Sequence, residues 1–307
     1  MSVVRECLRA WDGFWFRTEG SARMRLFRVG LGALLFFNYL VRSVDLELFF
    51  SKTGIVPLDA FGEAYSTTWR FSILNTFQSD VVLWIVNFAL LASLLTLAFG
   101  ILPRLSAFIA LVAHVSFIHR NLTVHYGFDM IATFYLMFFC LADFRERRPS
   151  TEDWRSILGS LALRLSQIQL CVVYAFSGLH KLKGVNWWRG EAIWGVFANP
   201  QYARYDFTWV SHFPILIIAM TYGTMLWELY FPVLVWVRRV RTPMLILGLM
   251  MHFGIAFTMS LNYFGSLMAL IYLLFIDESL AVRVLEVAKK LTTVSKVRRD
   301  TAEEYSV

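Results

Sequence analysis

Residues 81–102 read VVLWIVNFALLASLLTLAFGIL, twenty-two positions without a charged side chain. A helix that crosses the hydrocarbon core of a bilayer needs about 20 mainly apolar residues. A membrane-spanning barrel would instead show short alternating strands, and backbone polarity leaves the helix as the alternative. This segment therefore predicts a transmembrane helix.

Seven further segments repeat the pattern, at 26–41, 105–118, 128–142, 161–182, 213–237, 244–261 and 263–276. The predicted fold is all-α, a polytopic bundle of about eight spanning helices. The 307 residues are 58% hydrophobic and 17% charged, with 28 Phe and 11 Trp, against about 25% charge in a soluble domain. The chain divides into an interfacial amphipathic segment (1–22), a transmembrane domain (23–276) and a basic amphipathic tail (277–307) on the inner membrane surface. The first 25 residues lack the apolar core of a cleavable signal peptide.

Charge placement orients the bundle. With the N-terminus inside, nineteen of the 29 basic residues fall on inner segments and eight on outer ones, while Arg28 and Arg164 lie within spans. The bias alternates correctly across all eight spans, so both termini are expected in the cytoplasm of a bacterial cell and any active face outside it. The net charge of +7 flanks apolar segments and forms no separate basic module, which excludes nucleic acid as a partner and leaves membrane lipid. Cys7, Cys140 and Cys171 are too scattered for a disulfide framework or a zinc site.

Ionisable groups at membrane depth are costly and mark function by default. Arg164, Gln167, Cys171, Tyr174, Gly178 and Lys181 follow spacings of three and four, so they share one face of the fifth helix. That polar face should point into the bundle, over a length of about 26 Å. Lys181 closes it near the outer end. Snorkelling to lipid head groups is the bland account of such a lysine; a partly desolvated general base is the other. Lys183, beyond the helix, suits the anchor role better. By depth, Glu228 is expected to form a structural ion pair with Arg164 or Arg28 rather than with Lys181. His252 reads as a hydrogen-bonded packing residue. The connection HVSFIHRNLTVHYGFD (114–129) brings His119, Asn121, His125 and Asp129 to the same outer side. It has no metal-ligand spacing, so no metal is predicted.

The stretch LRLSQIQLCVVYAFSGLHKLKGVNWWRGEAIW (163–194) resembles the core of the vitamin K-dependent gamma-carboxylases and the wider bacterial HTTM (horizontally transferred transmembrane) group. The matching residues are Arg164 and Gln167, Tyr174, Ser177 and Gly178, His180 and Lys181, Leu182, then Trp187 or Trp188 and Gly190. RNLTVHYG (120–127) and TGIVPLDAF (53–61) add looser likenesses. The resemblance implies a membrane enzyme, a lyase or oxidoreductase, that oxidises a quinol (reduced vitamin K or menaquinol) with oxygen and uses the resulting base for carboxylation. It implies Lys181 as the base, with His180 and Tyr174 beside it. Asn121, His125, Asp129 and Gln167 would then serve the cofactor. Two departures stand out. Asn121 is followed by Leu122 where the animal enzymes have His, and the chain ends soon after the last span, without the large domain that holds a protein substrate. Shorter members of the group serve peptide-toxin maturation, so a non-enzymatic partner for maturation or export of a peptide or protein is the alternative function. A small-molecule transporter is the weaker third.

Overall fold

The structure is a computed structural model; it describes residues 2–57, 70–146, 150–201 and 204–304, with side chains from residue 4 to 291. Residues 58–61 of the TGIVPLDAF loop lie outside the described residues, as do Arg147 and Arg148. The same holds for the side chains of Lys296, Arg298 and Arg299.

All regular structure among the described residues is helical. The helices are α1 (Ser2–Phe16), α2 (Ala22–Arg42), α3 (Leu46–Phe50), α4 (Ile73–Thr76), α5 (Asp80–Phe99), α6 (Pro103–Arg120) and α7 (Gly127–Leu141). They continue with α8 (Trp154–Lys181), α9 (Val185–Trp188), α10 (Ala192–Phe197), α11 (Pro214–Leu234), α12 (Arg238–Met259), α13 (Asn262–Ile271) and α14 (Glu278–Glu304). Each of the eight expected segments falls on a helix. Five stretches are long and apolar enough to cross a membrane: Ala22–Phe50, Asp80–Phe99, Trp154–Lys181, Pro214–Leu234 and Arg238–Met259. Gly127–Leu141 and Asn262–Leu274 are apolar but shorter. The chain thus has the build of a membrane-embedded helical protein.

Local chemistry sets the ends of these helices. The Ser79 side chain accepts from the Val81 amide at the start of α5, and that of Asp153 from the Arg155 amide at the start of α8, as N-caps do. Gly100, at φ +81°, ends α5; glycine takes this left-handed conformation at little cost. The side chain of Arg28 donates to the orphan carbonyls of Leu97 and Ala98 at that end.

Around the bundle, α2, α5, α6, α7, α8, α11, α12 and α13 pack each on the next, and α13 returns to α2. Phe27, Tyr135 and Phe139 fill the core with edge-to-face ring contacts. Outward-facing apolar side chains such as Phe176 (72% exposed) and Phe253 (76%) ring the exterior, as lipid contact requires.

One end of the bundle is strongly ionic. Arg23 bonds Glu19 at 2.7 Å and Glu278 at 3.0 Å, and Arg164 bonds Glu19 at 2.6 Å. The main chain entering α2 and the start of α14 meet there, with Arg145 on Asp143 close by. Away from the ionic end, α8 stops at Lys181, and α9 and α10 fold back along α11. Tyr222 donates to the Trp188 carbonyl, and the Ile193 amide donates to Thr221.

Candidate functional site

Lys181 ends α8, but it does not sit at the end of the bundle. Gly178 is the reason. A Cβ there would lie 3.0 Å from the Leu229 nitrogen, so only a residue without one lets α8 and α11 touch backbone to backbone. The contact sets Gly178 level with residues 228–229. Helix α11 then runs on from Glu228 to Pro214, about 21 Å, past the tip of α8. Lys181 is three residues beyond Gly178, about 4.5 Å, and so lies against the middle of α11.

The neighbours of Lys181 follow from that depth. Its Nζ lies 2.5 Å from Glu228 Oε2 and 2.7 Å from Ser177 Oγ, and 5.0 Å from the centre of the Trp187 ring. The side chains are 17% and 9% exposed for Lys181 and Glu228. The expected pairing of Glu228 with Arg164 or Arg28 is therefore corrected. Arg164 is held by Glu19, Gln167 and the Phe14 carbonyl, and Arg28 by carbonyls. Depth counted from helix ends misled because α8 and α11 end at different levels. Pro232 also sits inside α11 and supplies no amide for the carbonyl four residues back, that of Glu228.

The pair forms the polar end of a chamber of about 480 Å³. One wall is the α11 face Met220, Gly223, Thr224, Trp227 and Glu228; the opposite wall is the α12 face from Leu247 to Met259. Ile193, Val196 and Phe197 of α10 cover it together with Trp187. The two helices are joined by the short turn at Val235–Val237 and diverge from it. At their closed end the Trp227 indole donates to the Met244 carbonyl at 3.1 Å. Leu247 and Met250 line the chamber and are half or more exposed. The chamber is thus open beside the middle of α12, one of the helices long and apolar enough to cross a membrane.

Tyr174 is buried one helical step behind the pair. Its hydroxyl lies 2.7 Å from His252 Nε2 and 2.5 Å from the Tyr272 hydroxyl, with its ring against Trp227. It backs the chamber without lining it. His252 takes the packing role expected of it. His180 is exposed on another face of α8 and is not among the chamber residues. Gln167 lies toward the ionic end, donating to the Leu274 carbonyl at 2.7 Å.

Asn121, His125 and Asp129 form a different cluster, around the start of α7, and none of them lines the chamber. Arg42 clasps Asp129 in a bidentate pair at 2.8 and 3.1 Å. His114 donates from Nε2 to the Asp129 carbonyl and accepts from the Tyr39 hydroxyl at 2.7 Å. Asn121 donates to the Phe49 carbonyl, and His125 Nδ1 donates to the Asn121 carbonyl at 2.6 Å. His119 bonds the Phe71 carbonyl instead. Burial pushes the His125 imidazole down to about 4, with the charge of Asp129 opposing. No group of three or more His, Cys, Asp or Glu side chains converges as metal ligands among the described residues. Within this cluster most side-chain groups are spent on each other and on loop carbonyls, the pattern of a structural knot, while the buried Nε2 of His125 has no partner among the described residues.

Sequence reasoning missed the role of Arg42 and the chamber walls, and named Trp187 only as an alternative to Trp188. The walls carried a signal: positions 247, 250, 251, 254, 255, 258 and 259 share one helical face, as do 220, 223, 224, 227 and 228. Against known proteins, no family model, no curated protein and no solved structure matches this chain.

Proposed function

We propose that this chain is a membrane enzyme that takes a lipid-soluble hydroquinone, reduced vitamin K or menaquinol, into the chamber between α11 and α12. There it removes a hydroxyl proton with the Lys181–Glu228 pair. One observation carries the reading: a lysine–carboxylate pair closes an apolar chamber between two helices long and apolar enough to cross a membrane. The volume lies in the range of small-molecule sites, about 300–1,000 Å³. The donor set suits the ligand, since a phenolic hydroxyl needs an acceptor at the head and apolar surface along its rings and tail.

The chemistry asked of the residues is limited. At 2.5 Å a proton passes from the ammonium of Lys181 to Glu228 without leaving the pair. That frees a lone pair on Nζ, which accepts the hydroquinone proton. The ammonium so formed lies beside the new oxyanion and is held by Ser177 and the Trp187 ring. Oxidation then needs dioxygen as co-reactant; one hydroquinone and one dioxygen give one quinone epoxide and one water. Carboxylation of an acceptor would follow, the base so generated taking a C–H proton from the acceptor and carbon dioxide, as a further co-reactant, adding to the carbanion. The charge bias places the ionic end in the cytoplasm and opens the chamber in the outer half of the membrane.

The test is epoxide formation by purified protein in lipid nanodiscs, given reduced menaquinone or vitamin K and oxygen. Losing a positioned base costs about 10²–10⁴ in rate, so Lys181→Ala and Lys181→Arg should both fall by at least 100-fold. Arginine keeps the charge but cannot serve as the neutral base. Equal turnover in wild type and Lys181→Ala would reject the assignment. Absence of turnover with any hydroquinone, together with a functional Lys181→Arg in cells, would favour the non-enzymatic partner of peptide or protein maturation.

A further inference from the structure

Gly13 and Gly195, outside the five long apolar helices, have open space where a Cβ would lie; the glycines inside those five fall into two kinds. At Gly32, Gly178 and Gly248 an added Cβ would meet Ala98, Leu229 or the Tyr272 hydroxyl at 3.0 Å or less, so close packing explains them. Gly223 of α11 and Gly254 of α12 are different. A Cβ on either meets nothing within 4 Å. Both lie inside helices with φ in the ordinary range, where glycine is less favourable than alanine. Neither packing nor backbone geometry calls for them.

What they share is the chamber. Gly223 is on one wall and Gly254 on the other. Gly223 is five residues from Glu228, about 7.5 Å along α11. Gly254 is ten residues beyond Met244, whose carbonyl takes the Trp227 indole, and so lies about 15 Å from the closed end. The two therefore bare the walls at successive distances from the ion pair. Met220, Met250 and Met251 surround them, and methionine adapts its shape to an irregular guest.

We propose that Gly223 and Gly254 set the width of the chamber and so decide what it admits: a flat ring system beside Gly223, carrying a long apolar chain that passes Gly254 into the bilayer. The inference rests on the hydroquinone reading for the identity of the head group. It adds that specificity is written in absent side chains, and that the ligand enters from the membrane rather than from water.

The experiment measures binding, separately from turnover. A menaquinone analogue with a diazirine in its chain is incorporated into nanodiscs with the full-length protein, irradiated, and the labelled peptides are mapped. Wild type should be labelled on α11 and α12, with excess menaquinone competing. Gly223→Leu should lower labelling at least tenfold, and Gly254→Leu by a smaller factor or with the label displaced. Gly223→Ala and Gly254→Ala should melt at a higher temperature than wild type while labelling at least threefold less, a combination that a packing role cannot produce. Labelling of both leucine variants at the wild-type level would overturn the proposal. So would alanine variants that melt lower, or no competable label on α11 and α12 in wild type. Competable labelling without Lys181-dependent turnover would sink the enzymatic reading and leave this one standing.

Discussion

At the scale of single residues, Glu228 and Lys181 show why a buried pair must be judged as a pair. Removing one partner leaves a charge with little solvent, at a cost of about 3–5 kcal/mol, whereas replacing both by apolar groups is often neutral. Lys181 keeps some access to the chamber, so Glu228→Ala should cost about 3 kcal/mol, at the low end. The double variant Lys181→Met/Glu228→Leu should return to within about 1 kcal/mol of wild type yet stay inactive. Thermal unfolding of both proteins in one detergent checks this; a double variant no better than the single one would refute it. His125 makes a second residue-scale prediction. Its folded value of about 4 lies below the usual value of about 6.5 for an exposed imidazole. The unfolded chain therefore binds a proton first as pH falls, and stability present above pH 6.5 is lost between there and 4. His114, Asp129 and Arg42 are the ionisable groups around it. The melting temperature of wild type should drop more steeply over that window than that of His125→Phe.

At the scale of elements, the α8–α11 contact governs the site. Gly178 lets the helices meet, and that contact alone places Lys181 beside Glu228 rather than at a head group. A larger side chain must push the helices apart, and overpacking of this kind costs about 1–3 kcal/mol. Gly178→Leu should therefore destabilise the fold by that amount and abolish turnover, while Gly223→Leu, facing open space, should spare stability. Unfolding midpoints and turnover measured on both variants check the contrast. The same contact explains what could be read beforehand. The polar stripe from Arg164 to Lys181 was legible because polar residues stand out on an apolar helix, and its inward face followed from the cost of charge in lipid. The pairing of Glu228 was not legible, because the level of one helix against another is fixed by a close approach that no hydropathy profile records. The chamber walls were hidden for a different reason. Methionine, leucine and glycine facing a cavity look like the same residues facing lipid, since both surroundings are apolar.

At the scale of the whole molecule, the helical segments were legible in place but not in their ends, since a bilayer demands long apolar runs and charge ends them. The expected start at 161 for the fifth segment was the largest miss, because α8 begins at Trp154. Its first two turns pass through Arg155 and Ser156 at the ionic end, where water and ion partners permit a helix that hydropathy would stop. That ionic end bears on the orientation. Glu19, Arg23, Arg164 and Glu278 gather the start of α2, the middle of α8 and the start of α14 on one side of the bundle, so residues 19 and 278, flanking the bundle in sequence, must face the same compartment. Basic flanks are retained in the cytoplasm, so that compartment is expected inside and the Thr208–His212 turn outside. A green fluorescent protein fused to the C-terminus should then fluoresce, and an alkaline phosphatase fused there should be inactive. Ser211, exposed on that turn, offers the complement. In a background with Cys7, Cys140 and Cys171 replaced by serine or alanine, Ser211→Cys should react with a membrane-impermeant maleimide on intact cells. A cysteine at Glu146, beside Lys289 at the ionic end, should react only after the membrane is opened. The reverse pattern would invert the protein and with it the face from which the chamber is approached.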